Sequence, residues 1–357
     1  MIGLRDAPRL ETRSRGRDNH FNLIRMFAAS GVLISHAYPI AWGPGAEQPL
    51  SRWLDMTLGT VCVYIFFAIS GFFIAKSFDR GQSRVRFLEA RALRLFPALI
   101  TVLVLTVLVA GLFLTTAPAG VYWADVPGYL IRNLTLVSLD YDLPGVFETV
   151  PYGPPINGSL WTLFYEVVCY AGVFLAGVLG VLRAPRLFAG AFALVVLACV
   201  AAPYLPLHSK LASLANLALP FAIGTAMYVW RAQIPMHWSV TLGLVVLAAL
   251  AHGSAAFAPL FVLALSYGVL WLGLAEMPAL LAYNRLGDYS YGIYIYAFPL
   301  QQLAASMGAV TPLGNMAVAF PLTLICAVLS WHLVEKPALR LVRPSRPADA
   351  ALKKVNS

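Results

Sequence analysis

Residues 25–36 read RMFAASGVLISH and lie inside the first long apolar run of the chain, bracketed by an arginine and a histidine eleven positions apart. Eleven residues at about 3.6 per turn make close to three turns, so on a helix Arg25 and His36 share one face, about 16 Å apart along the axis. An ionisable group inside a bilayer costs at least about 2.5 to 3.5 kcal/mol unless it is paired or lines a watered cavity. The stretch therefore poses a choice between a plain anchor and the wall of a cavity.

The rest of the chain is built of the same material. Of its 357 residues, 60% are hydrophobic and only 11% charged, against about 25% charged in soluble domains, and the mean hydropathy is +0.75. Apolar segments of about 20 residues, enough to cross a hydrocarbon core of about 30 Å as a helix, recur at 22–41, 54–75, 95–116, 160–182, 187–207, 211–230, 238–252, 255–274, 289–307 and 313–334. The expected fold is all-α, a polytopic membrane bundle of about ten transmembrane helices. A basic segment (1–21) and a basic tail (335–357) flank the membrane domain at 22–334. The segment at 238–252 is the shortest.

Cytoplasmic segments of membrane proteins collect Lys and Arg. With the N-terminus inside, only Arg52, Arg132 and Lys210 fall outside, leaving 22 of the 25 Lys and Arg within. This predicts an N-in, C-in multi-pass protein of the inner (cytoplasmic) membrane. The formal charge of +9 then reads as an orientation signal and a site for anionic lipid or ligand, and no nucleic-acid partner is expected. The first apolar run is too long for a cleavable signal peptide and has no small-residue cleavage pattern after it. Four cysteines stand singly in apolar spans and six histidines are scattered, so neither a disulfide framework nor a metal site is expected.

Two connecting segments carry chemistry. Residues 76–98, KSFDRGQSRVRFLEARALRLFPA, read as a basic cytoplasmic loop suited to a polyanion, and 117–159 as an outer loop rich in Pro, Gly, Tyr and Asp, suited to a polar acceptor. NLT at Asn133 and NGS at Asn157 match the glycosylation pattern. Below that loop, SLWTLFYE (159–166) brings Glu166 about 10 Å beneath the outer boundary, the depth that His36 reaches from the inner side. Two such groups at one level suit a general base and its orienting carboxylate. A structural ion pair would collect them too. Arg25, one turn inside the inner boundary, can equally snorkel to the headgroups, and His36 can serve as a hydrogen-bonding partner for a neighbouring helix.

Softer patterns complete the reading. FFAISGFFI (66–74) sets Ser70 and Gly71 among aromatics, where a neighbouring backbone can approach closely. GDYSYGIYIYAFPLQQ (287–302) places Tyr291 and Tyr294 three apart on one face, while Tyr289 suits an interfacial aromatic belt. WHLVEKP (331–337) reads as a helix end, with Pro337 as the stop and Lys336 at the negative end of the dipole.

Taken in order, Arg25-x10-His36, FFAISGFFI, RALRLFP (Arg91, Arg94, Pro97), SLWTLFYE (Glu166), SYGIYIYAFP and the terminal EKP resemble the successive motifs of the acyltransferase-3 family of integral-membrane acyltransferases, over about residues 19–341. The resemblance implies a ten-span bundle that moves an acyl group, commonly acetyl from acetyl-CoA, to a hydroxyl of a carbohydrate or lipid-linked glycan of the cell envelope. Proteins that O-acetylate lipopolysaccharide, exopolysaccharide and nodulation factors are similar. Acetyl-CoA or another acyl-CoA is then a co-substrate, with no cofactor bound. The glycan and the lipid bilayer are the other partners. On this reading His36 is the general base, Glu166 orients the imidazole or the acceptor, and Arg25 stabilises charge on the donor. Arg91 and Arg94 grip the CoA phosphates, since guanidinium forks match phosphate oxygens. Ser70, Trp161, Tyr291 and Tyr294 are weaker substrate contacts, and a covalent acyl-enzyme through Ser70 stays open. Many members carry a histidine in an SYxxYLxH pattern where this chain has Ala297. A secondary transporter of a small anionic solute is the rival from another class, and an acyltransferase acting on a small lipophilic acceptor in the cytoplasm is the nearer alternative.

Overall fold

The side chains of Thr57, Ser83 and Thr311 each accept a hydrogen bond from the backbone N–H three residues on, at 3.1, 3.4 and 3.1 Å. Each satisfies a donor that the first turn of a helix leaves unpaired, and each starts a helix. In the computed structural model, which describes residues 6–16, 18–81 and 83–342, the order is α1 (Leu10–Arg13), α2 (Phe21–Trp42), α3 (Ser51–Leu54), α4 (Leu58–Arg80), α5 (Arg84–Val109), α6 (Ala119–Thr135), α7 (Trp161–Val178), α8 (Pro185–Ala201), α9 (Ser209–Val229), α10 (Trp238–Leu250), α11 (Phe257–Gly273), α12 (Ser290–Ser306), α13 (Pro312–Ser330) and α14 (Lys336–Arg340). Arg5, Arg17 and the basic tail beyond residue 342 lie outside the described residues.

Among the described residues the regular structure is helical, apart from one isolated bridge between Arg9 and Pro235. Every expected span falls on a helix. Among the described residues, seven helices are long and apolar enough to cross a bilayer by themselves, and an eighth if α11 and the segment Pro278–Arg285, bent by 87°, count as one. The 13 residues of α10 reach only about 20 Å, short of the hydrocarbon core. Large apolar side chains such as Phe113, Leu194, Leu250 and Leu333 stand exposed on outer faces, as a lipid-facing surface requires. The chain is a multi-pass membrane protein.

Three connections differ from expectation. The basic stretch 76–98 is helix almost throughout: α4 runs to Arg80 and α5 begins at Arg84, with Pro97 inside it. The Ser83 cap and the Leu, Ala, Arg and Glu that follow favour a helix, so Arg91 and Arg94 sit on a rigid element. The outer stretch 117–159 contains α6, which buries Tyr122, Val126, Tyr129 and Asn133 on one side. Their spacing is helical, and the intervening Gly, Pro and Asp mask it. Pro337 does not stop its helix. α13 passes through a π turn, Trp331–Glu335, in which the Lys336 N–H reaches the Trp331 carbonyl, and continues as α14. Pro337 falls in the first turn after that shift, where its missing N–H costs little.

The α4–α9 contact is the close backbone approach expected at 66–74. A Cβ on Gly71 would collide with the Phe221 carbonyl oxygen, and one on Gly224 with that of Ala68, so glycine alone permits this spacing. Thr225 Oγ1 then donates to Gly71 O at 3.3 Å.

The approach to α7 matters most for the site. Gln302 Nε2 donates to Gly153 O at 2.9 Å and Pro155 O at 2.7 Å, and Asn157 Nδ2 donates to Ile295 O at 2.9 Å. The chain thus descends along α12 by seven helical residues, about 10 Å, before α7 starts. α7 begins within the bundle, not at its edge. Asn133 and Asn157 are 0% and 2% exposed and their amides are spent on backbone carbonyls, so both glycosylation-like triplets are structural in this fold.

Candidate active site

Two cavities, of about 650 and about 510 Å³, lie end to end between the helices and share Val63 and Tyr294 in their walls. One face of α4 lines both: Thr60 and Val63 in the smaller, then Val63, Phe67, Ser70, Ile74 and Ser77 in the larger, in steps of three and four residues. α2 likewise gives Arg25 to the larger and Val32, His36 and Pro39 to the smaller.

The larger chamber is charged. Arg94 Nη2 lies 2.6 Å from Asp288 Oδ2, Arg94 Nη1 lies 3.5 Å from Glu335 Oε2, and Arg25 Nη1 lies 3.6 Å from Asp288 Oδ2. Ser290 Oγ donates to Asp288 Oδ1 at 2.5 Å and Ser330 Oγ to Glu335 Oε1 at 3.0 Å. Burial by itself raises the Asp288 carboxyl, but Arg94, Arg25 and the Ser290 hydrogen bonds outweigh it and hold the group below its ordinary value. Arg94 also lies over the Tyr291 ring, whose hydroxyl donates to Leu95 O at 2.9 Å.

Arg91 is different. Among the described residues it makes no ion pair, its Nε is buried without a hydrogen-bond partner, and its guanidinium lies 5.8 Å from the centre of the Phe87 ring. The two arginines expected to act alike therefore separate: Arg94 is committed to two carboxylates, whereas Arg91, with Glu166 and Tyr170 in its electrostatic surroundings, forms no ion pair among the described residues.

His36 and Glu166 also separate. Glu166 lines the larger chamber, where its Oε1 accepts from the Tyr170 hydroxyl and, at 3.4 Å, from Ser70 Oγ. His36 lines the smaller one, edge-on to Phe298 at 5.4 Å, with its Nδ1 buried and unpartnered among the described residues. The expected base–carboxylate dyad is not formed. The count that put them level took α7 to begin at the outer boundary, whereas it begins 10 Å along α12 by the same helical rise, next to the junction of the chambers. Ser70 faces the cavity while its neighbour Gly71 makes the close contact. Tyr291 and Tyr294 both line the larger chamber, and Trp161 the smaller. Tyr289 is only 8% exposed and packs against Ala29, Ile293 and Ala327, so it is not an interfacial residue.

The smaller chamber also presents Gln48, Thr57, Thr60, Tyr141, Tyr152, Trp161, Ser213 and Asn216, and among the described residues no Asp, Glu, Lys or Arg lines it. Sequence reasoning missed Asp288, Glu335 and Tyr170. Asp288 had a visible signal, standing two residues before Ser290 at the mouth of an apolar run, where an aspartate can accept a hydrogen bond from the backbone N–H two residues on, as it does from Ser290 at 3.3 Å. Among the described residues no group of three His, Cys, Asp or Glu is arranged to hold a metal ion, and the four cysteines are unbridged.

The site is thus a histidine-lined polar chamber stacked on an arginine-lined one, inside a multi-pass bundle. The family model described as an acyltransferase domain matches residues 18–332, and the chain belongs to this acyltransferase-3 family. It is 29% identical over 354 residues to an O-acetyl transferase of Shigella phage Sf6, covering 93% of this chain and 99% of that one. It is also 29% identical over 365 residues to nodulation protein 10 of Rhizobium leguminosarum bv. viciae, covering 92% and 95%. No solved structure matches it.

Proposed function

We propose that the protein is an O-acetyltransferase of the cytoplasmic membrane that takes an acetyl group from acetyl-CoA in the arginine chamber and gives it to a hydroxyl of a carbohydrate or lipid-linked glycan in the His36 chamber. The observation that carries this reading is the pairing of two stacked chambers of opposite character. One holds an unpaired guanidinium at Arg91. The other has aromatic, amide and hydroxyl walls and, among the described residues, no carboxylate or ammonium. A phosphate desolvated in the second would have no counter-charge, which is costly, whereas a neutral sugar ring finds stacking faces and hydrogen-bond partners there.

The reaction follows from that arrangement. Arg91 takes a CoA phosphate, and the pantetheine arm lies along the α4 face toward Val63. His36 accepts the proton of the acceptor hydroxyl, the acceptor oxygen bonds to the acyl carbon, the carbon–sulfur bond breaks, and the leaving thiolate receives the proton from His36. Arg25 adds positive charge along the donor path. Glu166, held by Tyr170 and Ser70, positions the arm instead of the imidazole. The excess of Lys and Arg expected on the inner side turns the arginine chamber to the cytoplasm, where acyl-CoA is made. The name of the phage relative, an O-acetyl transferase, agrees with this chemistry. Purified protein incubated with isotopically labelled acetyl-CoA and a neutral oligosaccharide should release labelled O-acetyl ester. Folded protein that neither transfers nor hydrolyses the label would overturn the reading.

A further inference from the structure

The side chains that line both chambers are Val63 of α4 and Tyr294 of α12. An acyl group brought through one chamber and accepted in the other must lodge between them. Neither wall yields easily. Tyr294 is 7% exposed, its hydroxyl shares a 2.6 Å hydrogen bond with Thr162 Oγ1 of α7, and its ring stands edge-on to Phe66 at 5.9 Å. Val63 is 8% exposed and, being β-branched on a helix, keeps essentially one χ1 rotamer. Neither position holds an unbranched, adaptable side chain such as Met, which could repack around a longer guest.

We propose that Val63 and Tyr294 set the length of the acyl group transferred, admitting the two-carbon acetyl and rejecting longer chains. The proposal rests on the acyl-CoA donor argued above. It leaves the bonds made and broken unchanged: the acceptor oxygen still displaces CoA sulfur from the acyl carbon, and only the tail beyond that carbon meets the two side chains. Discrimination at an apolar wall runs at about 10- to 200-fold per methylene. Val63→Ala removes two methyl groups at the junction and Val63→Ile adds one.

The test is a competition in one vessel between equimolar acetyl-, propionyl- and butyryl-CoA for one neutral oligosaccharide, read as the ratio of ester products by mass spectrometry. A product ratio does not depend on the fraction of enzyme that is folded. The wild-type protein should give mostly acetyl ester. Val63→Ala should raise the butyryl-to-acetyl ratio by about 10-fold or more, and Val63→Ile should lower the propionyl-to-acetyl ratio. Tyr294→Phe, which keeps the ring but loses the Thr162 bond, should raise the ratio less than Val63→Ala. If Val63→Ala fails to accumulate, Val63→Ile carries the test in the opposite direction. Unchanged ratios in an otherwise active set overturn the length selection and leave acyl transfer standing. A wild-type protein that uses none of the three donors overturns the donor reading itself.

Discussion

Asp288 Oδ2 stands 2.6 Å from Arg94 Nη2, across 194 residues of sequence. The same carboxylate faces Arg25 at 3.6 Å, so one acid on the approach to α12 ties α2 and α5 together at the wall of the arginine chamber. Breaking such a buried pair from one side leaves an uncompensated charge, which costs about 3–5 kcal/mol.

Asp288→Asn should therefore lower the melting temperature in detergent markedly. Because Asp288 is held below its ordinary value, its contribution is present above the usual carboxylate pKa and is lost as pH falls through the depressed one. The gap between wild type and Asp288→Asn should stay constant from about pH 5 to pH 8 and narrow only below about pH 4. A gap that closes near neutrality would contradict the assignment of the charge to Asp288.

Arg91→Ala should behave in the opposite way. With no ion pair to lose, the protein should melt within a degree or two of wild type, while the KM for acetyl-CoA rises by about 10- to 150-fold, the worth of a hydrogen bond to a charged group. An unchanged donor KM would place the phosphates elsewhere.

His36→Ala should remove about 10² to 10⁴ of the transfer rate without loss of folded protein from the membrane. Since Glu166 touches Tyr170 and Ser70 and not His36, Glu166→Gln should leave the pH midpoint of transfer where it is. A shifted midpoint would mean that the two groups meet during turnover.

Sidedness provides a fourth check. In proteoliposomes of known orientation, acetyl-CoA should act only from the face bearing the N-terminus, and a water-soluble glycan only from the opposite face. Transfer that needs both substrates on the N-terminal face would instead point to a small lipophilic acceptor in the cytoplasm.

The helices themselves were legible because apolar length is a property of each segment alone. So was the sharing of a face by Arg25 and His36, which depends only on helical pitch. What resisted reading depends on where one segment stands against another. The Arg94–Asp288 and Arg94–Glu335 pairs join residues 194 and 241 positions apart, and nothing local announces them. Glu166 was set level with His36 because residue counting gives height from a helix end, and the end of α7 is displaced by a loop that dives along α12. Pro337 misled for a related reason: a π turn shifts the hydrogen-bond register by one residue, so the proline falls where it does no harm.

That diving loop has a consequence for how such a protein changes over generations. Tyr141, Tyr152, Pro155 and Gly158, all in the irregular stretch before α7, form part of the wall around His36, while the arginine-bearing walls of the other chamber stand on helices. Irregular segments accept insertions and exchanges that helical frames refuse. One chamber is thus inherited as rigid architecture, and the other is open to revision by short stretches of new sequence. New sequence in the stretch before α7 would reshape the walls beside His36 while leaving the helices that carry Arg25, Arg91 and Arg94 as they are.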